Sequence, residues 1–224
     1  MKRIAILAGT ALVVVLTAPS AKAALTPISS APSGELSLLG SGGILDALYG
    51  LSNLQRIGDS FKGNQLWELT SGAGSVTAVA KFAGFNQEFG VVPDANGGTF
   101  MSLFTVSANI DPLGGPGPSI LLPTTLTGPF RFANDPSGAP LWSSRQSDNS
   151  DGGLDHMVAW KIIGTGNFVL AWEDLAGLGD KDYNDLVVEV RGAAPATSEP
   201  GTLLLVGMGL MGIGVGVRRR CHRK

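Results

Sequence analysis

An acidic stretch near the C-terminal end of the chain carries the residues best suited to chemistry. Residues 172–191 read WEDLAGLGDKDYNDLVVEVR, and side-chain oxygens crowd its first part. The residues that supply them are Glu173, Asp174, Asp180, Asp182, Asn184 and Asp185. Carboxylates this close repel one another, so the fold must separate them, solvate them or supply a cation. They therefore predict a site for a hard divalent cation such as Ca²⁺, which prefers oxygen ligands.

The spacing of these residues resembles an EF-hand loop only at its start. An EF-hand loop needs Gly at its sixth position and Glu at its twelfth, whereas counting from Asp180 gives Asp185 and Arg191. An EF-hand is therefore excluded. A plainer interpretation also stays open, in which the Asp and Asn side chains cap turns and bond their own backbone.

Two strand-like segments flank the acidic residues and would position them. Residues 167–172 and 186–190 are apolar and rich in β-branched or aromatic side chains, a composition typical of strands. The sequence thus predicts an acidic loop held between two strands.

Residues 155–158, 168–175 and 179–188 together resemble the C-terminal part of a bacterial family, the domain of unknown function DUF4114. The resemblance is close over residues 154–191 and loose over 76–191, and Trp172 stands where Phe is more usual. It implies a β-rich domain of a secreted or surface protein, and no enzymatic activity is attached to the family. It also supports the prediction of a cation-stabilised loop.

The N-terminal residues have the pattern of a secretory signal peptide. Met1-Lys2-Arg3 is positively charged, an apolar run follows to Leu16, and Ala21 and Ala23 form an Ala-x-Ala cleavage site of small residues. We predict a signal peptide over residues 1–23, with cleavage after Ala23. The protein is then exported.

Between the predicted signal peptide and residue 200 the chain is acidic. This part contains all 18 Asp and Glu residues but only 8 of the 16 Lys and Arg residues, a net charge of about −10. Such a charge disfavours nucleic acid and suits divalent cations or cation-bridged polysaccharides. The part also lacks Cys, so no disulfide stabilises it.

Short strand-like segments separated by Gly- and Pro-rich turns make up the rest of the exported body. Residues 44–57 predict only a short helix, because Gly50 interrupts the helical spacing. Residues 24–45 predict a loosely ordered lead-in or an edge strand, and residues 111–123 predict a long loop. We predict one mainly β domain over residues 24–192, an antiparallel β-sandwich of the jelly-roll kind.

Aromatic residues and a histidine allow two interpretations each. The four Trp side chains could form a sugar-stacking face, but their strand-like surroundings favour core packing; they are Trp67, Trp142, Trp160 and Trp172. His156 could bind metal or serve as a base, although a lone histidine is more often hydrogen-bonded.

No arrangement of residues predicts catalysis. Glu173 and Asp174 are adjacent, so on a strand they would point to opposite faces and could not share one glycosidic bond. Nucleophile elbows, phosphate loops and metalloprotease helices are missing from the sequence. We predict that the protein is not an enzyme.

The C-terminal residues combine a linker, an apolar segment and a basic cluster. The linker spans 193–200 and ends with Ser198, Glu199 and Pro200. Residues 201–217 carry no charge and as a helix would rise about 25 Å, just short of the ~30 Å hydrocarbon core. Arg218, Arg219 and Arg220 begin a basic segment, 218–224, that should stop transfer and stay cytoplasmic.

This tail resembles the PEP-CTERM sorting signal. Glu199 and Pro200 match the second and third residues of the Pro-Glu-Pro motif, whereas Ser198 replaces the first. The resemblance implies an exosortase-like membrane enzyme as a partner and a Gram-negative bacterium that makes exopolysaccharide and biofilm. A plain C-terminal membrane anchor is the alternative.

Together these features predict an exported surface or matrix protein with a Ca²⁺-stabilised loop, anchored transiently in the inner membrane. Exopolysaccharide is the predicted further partner, and no nucleic acid is expected. The alternatives are a carbohydrate-binding module and a polysaccharide-modifying hydrolase.

Overall fold

The computed structural model of the protein describes residues 26–58, 65–70 and 73–196. These ranges contain twelve β-strands, one short α-helix and three short 3₁₀ helices. Every strand pairing is antiparallel. The prediction of a mainly β, antiparallel fold is therefore confirmed, while the jelly-roll arrangement stays a prediction.

Several predicted segments lie outside the described residues. They are the signal peptide at 1–23, the end of the linker at 197–200, the membrane helix at 201–217 and the basic segment at 218–224. Within the described ranges, no helix has both the length and the apolar character needed to cross a membrane.

A six-stranded sheet carries most of the C-terminal half of the chain. Its strands, in spatial order, are β1 (Leu54–Arg56), β9 (Met157–Ile162), β10 (Phe168–Trp172), β11 (Leu186–Arg191), β3 (Ser75–Ala80) and β6 (Ser119–Leu121). Its central strands β9, β10 and β11 are almost wholly buried, which explains their nearly continuous apolar sequences.

A four-stranded sheet lies across the apolar core from the first. It comprises β5 (Met101–Val106), β4 (Gln87–Val92), β7 (Arg131–Pro136) and β8 (Trp142–Ser143). Side chains of both sheets share one core, in which Phe89 of β4 meets Trp172 of β10 with ring centroids 6.1 Å apart. A separate pair joins β12 (Ala193–Pro195) to β2 (Trp67–Leu69).

The N-terminal segment covers the other face of the six-stranded sheet. Leu38, Ile44 and Leu45 are fully buried and belong to a second apolar cluster with residues of β9, β10 and β11. Helix α1 spans Ile44–Tyr49 and ends at Gly50, whose φ of 73° lies in the left-handed region. The predicted short helix is confirmed, but residues 54–56 form a strand.

Two other local predictions differ from the structure. The predicted loop 111–123 contains β6, and the predicted linker begins with β12. Strands β6 and β12 are three residues long and lie at sheet edges. Pairing with a neighbour, which local composition does not report, makes them strands.

All four Trp side chains pack inside the protein. Trp67, Trp142 and Trp172 are fully buried and Trp160 is 4% exposed. Core packing is confirmed for them, and a sugar-stacking face built from these rings is excluded.

Candidate metal centre

The acidic residues lie in the loop that joins β10 to β11. The two strands pair so that Trp172 is opposite Leu186. The loop therefore leaves and re-enters the sheet at one place, which brings Glu173 and Asp174 close to Asp185. Strand pairing thus places the two ends of the acidic stretch side by side.

The loop backbone turns through unusual conformations. Leu178, Lys181 and Tyr183 have positive φ angles of 66°, 61° and 54°, which cost a non-glycine residue about 1–2 kcal/mol each. Contacts outside the loop offset this strain. The Tyr183 hydroxyl donates to the Asp155 carbonyl at 2.7 Å, and the Ser29 amide donates to the Lys181 carbonyl at 2.7 Å. Strain of this kind is concentrated at functional sites.

The carboxylates form two groups that share Glu173. One group is Glu173, Asp174 and Asp185, and the other is Glu173, Asp180 and Asp182. In each group, one oxygen from every residue lies within 4.8 Å of the others. This separation suits oxygens that bind a common Ca²⁺, since Ca–O bonds are about 2.3–2.6 Å long.

Several oxygens of this cluster are buried without a partner. Both carboxylate oxygens of Glu173, Oδ2 of Asp182 and Oδ1 of Asn184 have no hydrogen bond within the described part of the chain. Glu173 and Asp182 are each 1% exposed and Asn184 is fully buried. Leaving such a group unpaired costs about 1–3 kcal/mol, and more when it is charged.

Other polar atoms of the site have hydrogen-bond partners in the protein. Oδ2 of Asp174 accepts from Nε2 of Gln87 at 2.6 Å, and Oδ2 of Asp185 accepts from the Asp174 amide at 2.8 Å. Nδ2 of Asn184 donates to Oε2 of Glu35 at 3.2 Å. Among the described residues, no Lys or Arg forms an ion pair with a carboxylate of the two groups.

Burial and mutual repulsion raise the pKa values of these acids. Burial, followed by the charges of Asp180 and Asp182, raises the pKa of Glu173 to about 8. Burial raises the pKa of Asp182 to about 6, and burial together with Asp174 raises the pKa of Asp185 to about 9. The site thus disfavours its own negative charge and favours any positive charge that enters it.

Gly179 allows the loop to approach Glu173. Its φ is 36°, and a Cβ atom at this position would lie 2.6 Å from Oε1 of Glu173. A larger residue would have to displace either the carboxylate or the loop.

A cleft of about 290 Å³ opens above the two groups. Its walls include Glu35, Phe82, Phe85 and Leu175, and Glu173, Asp174, Asp180 and Asp185 also line it. The carboxylates are therefore reachable by an ion or a small ligand.

Comparison with known proteins gives two matches along the chain. Residues 124–193 match the family model described as domain of unknown function DUF4114, and residues 196–220 match the PEP-CTERM protein-sorting motif. The chain therefore carries a segment similar to the DUF4114 domain and, after it, a segment similar to the PEP-CTERM sorting motif. A search of curated proteins found no match to it.

The two matches lie one after the other, the first in the β-rich body and the second in the C-terminal tail. The DUF4114 match contains β7 to β11 and the whole acidic loop. The sorting match contains Ser198, Glu199 and Pro200 and extends through Arg218, Arg219 and Arg220. The motif supports export and membrane-associated sorting by an exosortase-type system in Gram-negative bacteria. Ala21 and Ala23, the predicted signal cleavage residues, lie outside the described residues.

The six predicted ligands all lie at the loop between β10 and β11. Five are the carboxylates of the two groups, and the sixth is Asn184 with its unpartnered buried oxygen. One expectation about them is wrong. Glu173 and Asp174 do not point to opposite faces of a strand, because β10 ends at Trp172. Each side chain has an oxygen within 4.8 Å of an oxygen of Asp185.

His156 holds the backbone of the site in place. Its Nδ1 bonds the Glu173 carbonyl and its Nε2 bonds Oδ2 of Asp151, both at 2.8 Å. With both ring nitrogens in use and the ring fully buried, His156 has the hydrogen-bonded role that its isolation in the sequence favours.

Sequence reasoning missed Glu35 and Gln87. Glu35 lines the cleft and contacts Asn184, and Gln87 bonds Asp174. They come from the N-terminal segment and from β4, far from the loop in sequence. No local pattern around either residue signals this contact.

Proposed function

We propose that the protein is a non-enzymatic surface or matrix protein whose acidic loop binds Ca²⁺ outside the cell. The observation that carries this proposal is Glu173, which is 1% exposed and has two carboxylate oxygens without a hydrogen-bond partner in the described chain. A buried carboxylate in that state is costly. A cation at the loop would remove the cost.

The chemistry of the ligands favours Ca²⁺ over other metals. The ion would bind Glu173, Asp180 and Asp182, and on the same loop Oδ1 of Asn184 is buried without a hydrogen-bond partner in the described chain. All of these are oxygen donors from an irregular loop, which suits the flexible coordination of Ca²⁺ better than the strict octahedron of Mg²⁺. Cys is absent from the body and His156 has both nitrogens occupied, so the site lacks the sulfur and nitrogen ligands on which structural zinc sites are built.

Binding would act on stability. An ion that binds the folded loop and not the unfolded chain stabilises the folded state by mass action. The loop joins two central strands of the six-stranded sheet, and the stabilisation would therefore act on the whole domain. The body has no disulfide to serve the same purpose outside the cell.

Thermal unfolding of the purified protein tests the proposal. With Ca²⁺ at a hundred times its dissociation constant, the folded state gains about 2.7 kcal/mol over the protein in EDTA. For a domain of this size the gain raises Tm by about 5–10 °C. Glu173→Gln should lose the rise, whereas Asp111→Asn, at an exposed aspartate outside the site, should keep it. Equal Tm values in Ca²⁺ and EDTA would refute Ca²⁺ binding.

Exopolysaccharide is the partner that we propose for the exported protein. The cleft favours it, because Phe82, Phe85 and Leu175 offer apolar contact beside the carboxylates, and a Ca²⁺ ion below them could bind sugar oxygens. Retention on acidic polysaccharide columns should require Ca²⁺ and weaken in Leu175→Ala. Leu113→Ala, at a leucine that is 76% exposed away from the cleft, should be retained like the wild type.

We further propose that the segment 201–217 anchors the exported protein transiently in the inner membrane. The sorting match across residues 196–220 supports processing there by an exosortase-like enzyme, after which the body would reside at the surface or in the matrix. Replacing Glu199 and Pro200 by Ala should leave the longer, unprocessed chain in the membrane fraction. If this variant is processed at the wild-type rate, the enzyme recognises residues other than Glu199 and Pro200.

A further inference from the structure

The carboxylates of the loop between β10 and β11 form two groups rather than one. Two oxygens bound to one Ca²⁺ lie at most about 5 Å apart, because each bond is about 2.3–2.6 Å long. When all oxygens of a group must lie within 4.8 Å of one another, the described acids form two groups. One is Glu173, Asp174 and Asp185, and the other is Glu173, Asp180 and Asp182. A single ion at either position therefore leaves two carboxylates outside its direct reach.

Glu173 has the two free oxygens that a bridging ligand needs. Its carboxylate is 1% exposed, and neither Oε1 nor Oε2 has a hydrogen-bond partner in the described chain. It is also the one residue common to both groups. A single ion can leave one of these oxygens unpaired, whereas two ions can use one oxygen each.

The charge of the site points the same way. The five carboxylates face one buried cation, Lys81, which interacts with Asp174 and Asp185. Its amino group donates to the Ala83 carbonyl at 2.8 Å and to Oδ1 of Asn109 at 3.3 Å, so it is not an ion-pair partner of either acid. When the five acids give up their protons to bind metal and Lys81 is charged, the excess is four negative charges. One Ca²⁺ offsets half of it and two offset all of it.

We propose that the loop holds a pair of divalent cations bridged by the carboxylate of Glu173. This rests on the proposed Ca²⁺ function and adds a second position, formed by Glu173, Asp174 and Asp185. Gln87 positions Asp174 from β4, so the second ion links the loop to the four-stranded sheet. The first ion, on Asp180 and Asp182, fixes the turn itself.

Counting bound ions tests the proposal. Flow dialysis of the full-length protein with radioactive Ca²⁺ should give two ions per chain. Asp185→Asn keeps an acceptor for the Asp174 amide but loses the second position, and should bind one ion; Asp182→Asn should also bind one. Asp111→Asn, the control, should bind two. If near-UV circular dichroism shows that Asp185→Asn has lost its fold, Asp174→Asn makes the same test, because it keeps an acceptor for Gln87.

The outcomes separate the two proposals. One ion in the wild type, lost in Asp182→Asn and retained in Asp185→Asn, overturns the paired site and leaves the Ca²⁺ loop intact. No bound ion in the wild type overturns both. Two ions in the wild type and one in each single variant establish two positions. Glu173→Gln should then lower the affinity of both positions by at least tenfold, and a loss at one position alone overturns the bridge.

Discussion

His156 stacks on Trp142 with ring centroids 3.7 Å apart and ring planes 3° from parallel. Each ring also bonds the backbone of the candidate site. His156 bonds the Glu173 carbonyl at 2.8 Å, and Nε1 of Trp142 donates to the Asp174 carbonyl at 2.7 Å. Two stacked rings from different parts of the chain thus fix the two residues that follow β10.

Replacing Trp142 by Phe should weaken cation binding as well as the fold. The change deletes the hydrogen bond to the Asp174 carbonyl and leaves a small cavity, at a cost of about 1–3 kcal/mol. Glu173 and Asp174 then lose a support, and the Ca²⁺ affinity should fall about three- to tenfold by isothermal titration calorimetry. Trp160→Phe is the control, because Trp160 is buried on the other face of the sheet. Unchanged affinity in Trp142→Phe would show that the stacked rings do not position the site.

Gly179 provides a second test of how the loop is built. In Gly179→Ala, the new Cβ would lie 2.6 Å from Oε1 of Glu173, so the carboxylate or the loop must move. We expect Ca²⁺ affinity to fall at least tenfold. Gly177→Ala is the control for a positive φ: Gly177 has a φ of 76°, but nothing lies within 4 Å of its Cβ position. Both variants carry backbone strain, and equal losses of affinity would show that the strain, and not the contact with Glu173, is responsible.

Lys81 allows the electrostatics of the site to be changed without touching a carboxylate. Lys81→Met removes a buried positive charge that interacts with Asp174 and Asp185. A bound cation then meets less repulsion, so Ca²⁺ affinity should rise on the order of tenfold. The protein in EDTA should become less stable, because the acids lose their favourable neighbour. Lys161→Met, at an exposed lysine of β9, should change neither quantity, and weaker Ca²⁺ binding in a folded Lys81→Met would contradict the charge argument.

The acidic loop could be predicted from the sequence because its determinants are local. Six oxygen-bearing residues stand between two apolar segments, and those segments pair as β10 and β11. Repulsion among neighbouring carboxylates and strand composition are both visible in a short window. The same holds for the end of helix α1 at Gly50.

Contacts across the chain could not be predicted in this way. Glu35 reaches Asn184 and Gln87 reaches Asp174 only because the N-terminal segment and β4 pack against the loop. Strands β6 and β12 escaped prediction for a related reason, since a three-residue edge strand depends on its partner. Only the folded chain places Asp174 beside Asp185, because the antiparallel pairing of Trp172 with Leu186 brings the two ends of the loop together.

The stability of the cation-free protein should fall as the pH rises from 5 to 9. Burial is the main cause that raises the pKa of Glu173 to about 8, of Asp182 to about 6 and of Asp185 to about 9, against ordinary values of 4.5, 3.8 and 3.8. A folded-state pKa above the unfolded one means that the folded protein holds protons more tightly. The stabilisation from these protons is complete below pH 4 and is lost as the pH passes the folded pKa values. Tm measured in EDTA should therefore decrease across this range.

Saturating Ca²⁺ should flatten this pH dependence, because the ion replaces the protons as they leave. Protons and Ca²⁺ compete for the same oxygens, so Ca²⁺ affinity should increase between pH 6 and pH 9 while Tm in EDTA declines. Glu173→Gln removes a titrating group and should be more stable than the wild type in EDTA at pH 9, because its amide carries no buried charge. At pH 5, where Glu173 is largely protonated, the two proteins should unfold at similar temperatures. If the Tm of the wild-type protein in EDTA rises from pH 5 to pH 9, folding does not raise the pKa values of these acids.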